Sequence, residues 1–418
     1  MKKLGITLLL LLFATTAYAE IKFELTGDMK GAGTYYQNHD MASDDTVSYS
    51  YYDGDLNLYP KIIVGDSSVN MKLAIRDETW REGVYDTDDT TELDNNVAVE
   101  RCFLQHKFTE NTTLDVGLMD GGTWGTTFGD NKAARYRVKV TQMTDVGAVV
   151  ALVEKMAEVG STATSTEDAE KDDADNFAIG FVTKIDKIKI APLFYYLNLS
   201  RYDSGGVSYY LDNGNDALKR LLLALEISGD LGAVAFEAEL DYNNYDSKGF
   251  VHPLAGALED NDWTAIGFYL NVWAPLDAAK VGGVLAYGSY DDEGGPASSG
   301  FGFDFNDDFY STVILGDELG WGGGEDLTGM SLLKLYASDV KTGNESVSLG
   351  GYLAYIMSNQ DDTTLEDANA FELGVDGTYK ITENLKYNLG VAYASVSYDE
   401  GDDPDPIYTL YHSIKLTF

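Results

Sequence analysis

A single cysteine, Cys102, stands in a chain of 418 residues, so no disulfide can form within it. Cys102 is expected to act as a small hydrophobe rather than a reactive thiol. Proline (7) and tryptophan (5) are scarce. After Glu20 the densest apolar stretch is LLLALEI (221–227), far short of the roughly 20 residues of a membrane-spanning helix. Any contact with a membrane must then come from strands or from the surface. Positive charge is scarce relative to negative, with 29 Lys and Arg against 69 Asp and Glu and a formal net charge of −40. Such a chain repels nucleic acid and anionic headgroups and attracts cations. Signatures of chemistry are missing as well. His39, His106, His252 and His412 are scattered without metal spacing, and no Ser-His-Asp order stands out. GWGGGED (320–326) is glycine-rich but lacks the Lys-Ser/Thr of a phosphate loop. The sequence therefore predicts no enzyme, no metal centre and no cofactor.

What is present begins with MKKLGITLLLLLFATTAYAE, two lysines followed by a short apolar core and Ala17-Tyr18-Ala19 before Glu20. That pattern predicts a secretory signal peptide over 1–19, leaving one domain over 20–418. The net charge then becomes −42, because Lys2 and Lys3 leave with the leader. In that chain, 43 Gly, 29 Tyr and 17 Phe point to strands joined by tight turns. High acidity alone would suggest disorder, but 12 % aromatic residues in regular alternation argue against it.

Alternation recurs from end to end. Candidate strands fall at 21–37, 47–64, 69–82, 96–108, 112–120, 133–144, 147–158, 176–186 and 188–200. The second half adds 217–228, 232–245, 262–274, 280–290, 330–341, 346–358, 368–380, 385–398 and 407–418. Short turns such as TEN (109–111, again at 382–384) and TDVG (144–147) alternate strictly with long connections. Within 232–245, Val234, Phe236, Ala238, Leu240 and Tyr242 form one row; Glu237, Glu239 and Asp241 lie on the other. A soluble sandwich and a wide barrel both produce that alternation. The signal peptide, the turn rhythm and the last strand together select the barrel. In LYHSIKLTF (410–418), Leu410, Ile414, Leu416 and Phe418 share a face, as in a strand that closes a barrel against its first strand and turns Phe418 toward an interfacial aromatic girdle. The expected fold is all-β, a transmembrane antiparallel up-and-down β-barrel of 16–18 strands, with short periplasmic turns and long acidic extracellular loops.

In this pattern of turns, strands and terminal Phe, the chain resembles the Gram-negative outer-membrane porins. The resemblance implies an outer-membrane location amid lipid and lipopolysaccharide, and recognition of the Phe418, Leu416 and Ile414 strand by the barrel-assembly machinery. It also admits a homotrimer. It implies passive conduction of small hydrophilic solutes through a water-filled lumen, whose inward rows carry too few large apolar side chains to plug it. An outer-membrane enzyme is disfavoured because no triad is visible. The remaining alternative is a structural sleeve around a partner, such as an electron-conduit cytochrome, or an adhesion barrel.

Candidate pore residues follow from parity. Arg135, Arg137 and Lys139 share the face opposite Tyr136, Val138 and Val140, so they form a basic ladder on the lumen wall. Arg76 and Arg101 fall on inward parity in their own strands, and Glu237, Glu239 and Asp241 form an acidic lumen row. The bland expectation for the cations is pairing with carboxylates such as Glu237 and Glu239. Just before the ladder, DGGTWGTTFGDNK (120–132) is the third long connection. In the porins the third loop folds inward and its carboxylates face basic side chains across the narrowest point. That resemblance assigns Asp120 and Asp130 to the loop's acidic side, with Trp124 and Phe128 as wall anchors. The Pro-Glu-Phe-Gly-Gly stretch of the enterobacterial loop is absent. Screening acts over about 8 Å at physiological salt, so wall charges at such an eyelet are felt by passing solutes. Acidic stretches at 82–96, 167–175 and 399–405 predict enrichment of cations at the mouth and at most weak bridging by Ca²⁺ or Mg²⁺. Mouth and ladder pull in opposite directions, and the expected balance is cation preference.

Overall fold

The computed structural model describes residues 20–38, 48–81, 97–129, 134–157, 174–199, 202–204, 207–209, 218–247, 251–252, 256–257, 261–291, 301–302, 309, 311–318, 327–360, 365–399 and 403–418. Residues 1–19, the acidic stretch 82–96, the glycine-rich 320–326 and Asp130 lie outside the described residues.

Eighteen long strands form one antiparallel sheet. They are β1 (Ile21–Gln37), β2 (Ser48–Val64), β3 (Ser67–Arg81), β4 (Val97–Lys107), β5 (Thr112–Asp120), β6 (Ala134–Thr144), β7 (Gly147–Ala157), β8 (Ala174–Ile185) and β9 (Ile188–Leu199). The order continues with β10 (Leu218–Asp230), β11 (Ala235–Ser247), β12 (Asn261–Pro275), β13 (Lys280–Gly288), β14 (Met330–Lys341), β15 (Val347–Ser358), β16 (Asn369–Lys380), β17 (Leu385–Ser397) and β18 (Ile407–Thr417). Each strand pairs with its sequence neighbour, and β18 pairs with β1 from Asp28↔Thr417 to Gln37↔Tyr408. The sheet is thus a closed up-and-down barrel without a free edge.

Turn chemistry sets the short end. In both TEN turns the threonine hydroxyl accepts backbone N–H groups: Thr109 Oγ1 from Asn111 (3.1 Å) and Thr112 (3.0 Å), Thr382 Oγ1 from Asn384 (3.3 Å) and Leu385 (3.1 Å). These side chains satisfy donors that a tight reversal would otherwise leave open. The tightest reversals need left-handed backbone, supplied by Gly65 (φ 58°) and by Asp186 (φ 55°).

Alternation sorts the two faces. On β6, Tyr136 (65 % exposed), Val138 and Val140 point outward, while Arg135, Arg137 and Lys139 point into the lumen. Phe418 continues the outer row of β18. Its backbone N–H donates to Gly27 O (2.9 Å), its carbonyl accepts from Gly27 N (2.8 Å), and its ring lies against Gly27. Deleting Phe418, or replacing it with serine, removes the ring, and the deletion also removes both closing hydrogen bonds. We expect such variants to accumulate unassembled in the periplasm; heat-modifiable barrel in the outer-membrane fraction at wild-type level would contradict this.

One expectation about the lumen is corrected. The main buried apolar cluster lies inside the barrel, where Phe309, Ile314, Leu315 and Leu327 of the 289–329 connection pack on Ala265, Ala286, Leu332, Ala354, Ile356, Ala370 and Ala394. Small inward alanines on β12–β17 leave room for a folded-in loop. Each large side chain so buried contributes roughly 1.5–3 kcal/mol, so part of the lumen is plugged by the chain's own apolar residues.

Candidate functional site

Among the described residues, two connections fold inward, and each is held by one buried carboxylate. The third, described over 121–129, leaves the end of β5 and reaches the far wall. Trp124 rests on Gly180 and its indole N–H donates to Ala191 O at 3.0 Å. Thr126 donates twice to Glu239 Oε2, from its backbone N–H (2.6 Å) and its hydroxyl (2.5 Å). Gly125 (φ 98°) meets the same carboxylate so closely that a Cβ would collide with it. Phe128, fully buried, stacks on Tyr269 with ring centroids 5.5 Å apart and meets Phe309 edge-on at 5.4 Å. Trp124 and Phe128 thus fix the loop at two points on the wall.

The second connection carries a single helical turn, Val313–Glu318. Its first N–H groups converge on Glu372 of β16, from Val313 (2.9 Å), Ile314 (3.1 Å) and Leu315 (2.8 Å). The Tyr352 hydroxyl donates to the same carboxylate. Lys334 sits over the Tyr352 ring, 4.5 Å from its centroid, and donates to Ser311 O at 2.6 Å. Phe128 and Phe309 join the two folded-in connections to each other.

The basic ladder forms one side of the remaining space, and its partners differ from those expected. Arg135 pairs with Glu154 of β7 at 2.8 Å, and Arg137 pairs with the other oxygen of Glu154 while donating to the Asp120 carbonyl at 2.6 Å. Lys139 pairs with Asp115 at 2.9 Å, its directly opposite neighbour on β5. Arg101 pairs with the Asp120 carboxylate at 3.0 Å. Glu154 is wholly buried and also accepts from Asn176 at 2.7 Å. The cations therefore pair within their own wall, because residues directly across adjacent strands lie about 5 Å apart, whereas Glu237 and Glu239 are five strands away. Asp120 lies at the end of β5 and belongs to this wall rather than to an opposing loop face. Arg76 lies in β3, and its side chain is outside the described residues, as is Asp130.

The acidic row of β11 does point inward. Glu237 accepts from Tyr269 (2.8 Å) and Asn271 (3.0 Å), Glu239 holds the third loop, and Asp241 is 2 % exposed. Between this row, Trp124 and the ladder lies a cavity of ≈ 230 Å³. Among the described residues, no group of three or more His, Cys, Asp or Glu is arranged to hold a metal ion. Glu154, Asp115, Glu372 and Lys334 had been missed from sequence. Glu154 is the single acid of β7, and the apolar run STVIL (311–315) inside a long connection was the available signal for the second inward fold.

The sequence matches no protein-family profile and no curated protein. Solved structures do match: OccAB4 of Acinetobacter baumannii aligns over 94% of this chain and 98% of its own, with TM-score 0.52 at 13% identity. The outer membrane protein OpdK of Pseudomonas aeruginosa aligns over 94% and 99%, with TM-score 0.53 at 9% identity. The chain has the fold of an outer-membrane channel barrel. OccAB1 of Acinetobacter baumannii, at TM-score 0.53 and 11% identity over 94% and 97%, has the same fold. In this barrel the closed wall, the paired ladder and the two inward connections are built from one chain.

Proposed function

We propose that the protein is an outer-membrane channel that passes small hydrophilic solutes by diffusion and prefers cations. The observation that carries this reading is the charged cavity left beside the inward third loop, where Glu154 and Asp115 balance two of the ladder's three positive charges and a further acidic row stands opposite. A paired cation attracts a passing anion weakly, so the acidic row, together with the excess of acidic residues in the sequence, sets the sign. OpdK has been solved with vanillate, an anionic aromatic; the paired state of the ladder here argues for a different preference in this chain. A sleeve around a protein partner fits less well, since the chain's own loops occupy the space a threaded partner would need.

The test is a planar-bilayer recording of the refolded barrel, with reversal potential measured in a salt gradient. Conductance steps with a cation-side reversal potential that shrinks as salt rises are expected; absence of steps from folded protein would sink the reading. Replacing Arg135, Arg137 and Lys139 together with glutamine frees Glu154 and Asp115. Cation preference and conductance should both rise. Wild-type values for both would show that the ladder does not border the path.

A further inference from the structure

The two inward connections meet at three rings. Phe128 of the third loop stacks on Tyr269 of β12, and Phe309, just ahead of the helical turn, meets both edge-on, with centroids 5.4 Å from Phe128 and 5.5 Å from Tyr269. All three are at most 5 % exposed, and Ala265 and Ala286 belong to the same buried cluster. Tyr269 is the fixed member. It stands on the wall, its hydroxyl donates to Glu237 Oε1 at 2.8 Å, and Asn271 donates to that carboxylate at 3.0 Å while accepting from the Tyr336 hydroxyl at 3.0 Å. Phe128 and Phe309 travel with their connections. Their latches are separate: Glu239 on β11 holds Thr126, and Glu372 on β16 holds the N–H groups of Val313, Ile314 and Leu315.

Withdrawal of either connection takes an edge-on partner from a ring that stays behind. If the 311–318 segment leaves with Phe309, one side of Phe128 is uncovered; if the third loop leaves with Phe128, the same happens to Phe309. An aromatic pair of this geometry corresponds to a factor of about two to ten in an equilibrium, and coupling of this kind is reciprocal. We propose that the two connections form one cooperative gate, latched by Glu239 and Glu372 and coupled through Phe128 and Phe309, so that opening one latch loosens the other connection severalfold. Independent plugs would narrow the lumen in two unrelated ways, whereas a coupled pair widens and narrows it as a unit. The effect of the gate on conduction rests on the channel reading; the coupling itself does not.

Coupling is read by hydrogen–deuterium exchange of the detergent-folded full chain, in peptides covering 121–129 and 311–318, each taken relative to strand β7. Exchange of a hydrogen-bonded amide reports how often its segment opens. Glu372→Ala should accelerate exchange at 311–318 and also, about two- to tenfold, in the third loop, which makes no hydrogen bond to Glu372 among the described residues. Glu239→Ala should act in the other direction, loosening the third loop and, through the rings, 311–318. Phe309→Leu keeps apolar volume but removes the edge-on ring, so on that background the effect of Glu372→Ala on the third loop should fall to near unity. Acceleration confined to the segment whose own latch was changed overturns the proposal. So does transmission that survives Phe309→Leu, and so does exchange at 311–318 that Glu372→Ala leaves unchanged. Should either alanine variant fail to give a heat-modifiable barrel, Gly125→Ala decides, since its Cβ would collide with Glu239 and it alters the loop alone: faster exchange at 311–318 upholds the gate and unchanged exchange there overturns it. Coupled exchange without conductance steps upholds the gate and sinks the channel reading, whereas conductance steps with uncoupled exchange do the reverse.

Discussion

Replacing Glu372 with alanine is expected to produce brief excursions to a larger conductance level, several-fold more frequent than in wild type. Glu372 is fully buried and receives the N–H groups of Val313, Ile314 and Leu315 together with the Tyr352 hydroxyl. Without it the Val313 N–H keeps the Tyr352 hydroxyl as acceptor at 3.1 Å, whereas the Ile314 and Leu315 N–H groups and the Tyr352 hydroxyl remain inside the lumen with no acceptor, at about 1–3 kcal/mol for each unsatisfied group. The apolar anchors Ile314 and Leu315 resist release with roughly 1.5–3 kcal/mol each. The two sums are comparable, which is why the expected outcome is an intermittently released connection rather than a permanently open lumen. Glu372→Gln keeps the shape and one acceptor oxygen, so it should fall between. Single-channel recordings decide the matter: open-state noise and conductance indistinguishable from wild type in the alanine variant would mean that Glu372 does not hold this connection in the path.

The second large effect should come from Glu154. Its single negative charge is shared, one oxygen each, between Arg135 and Arg137, which have side-chain exposures of only 14 and 9 %. Removing one member of a buried ion pair leaves an uncompensated charge, at a cost of about 3–5 kcal/mol, and here two arginines lose the same partner. Glu154→Gln should lower the unfolding temperature of the barrel and move the reversal potential toward anions, the opposite sign from the ladder variant. The measurement is paired: thermal unfolding followed by loss of heat-modifiability, and reversal potential in a salt gradient. A variant equal to wild type in both would show that solvent, rather than Glu154, compensates the two guanidinium groups. Because Glu154 is also bonded to Asn176, the effects of Glu154 and Asn176 substitutions should not add.

Strand positions were legible because a strand's signal is local. The run ARYRVKV (134–140) alternates within itself, so Tyr136 and Val138 had to share a face and Arg135 and Arg137 the other, whichever strands flanked them. The same holds for β11, and for the eighteen-strand count, where sixteen had remained open. Partners were not legible in this way. Arg137 meets Glu154 because β6 and β7 set their register at Arg137↔Glu154, and sequence parity says which face a residue takes but leaves open which carboxylate stands opposite. Asp120 looked like a loop acid from the sequence, yet strand pairing carries β5 through Asp120↔Ala134 and binds it into the wall.

The sequence by itself determined the alternation of faces, the short turns and the antiparallel order of strands, since all three depend on residues within a few positions of one another. Tertiary structure alone decided what fills the barrel. Thr126 reaches Glu239 across 113 positions, and Ile314 reaches Glu372 across 58. Such contacts form only after closure brings distant strands around a common lumen, where a buried N–H must find an acceptor and a buried carboxylate a donor. Asp241, whose two buried oxygens find no hydrogen-bond donor among the described residues, stands apart from that rule, and its inward parity was readable where its lack of a donor was not. Parity is a property of one strand, while the absence of a partner is a property of every surface that surrounds it.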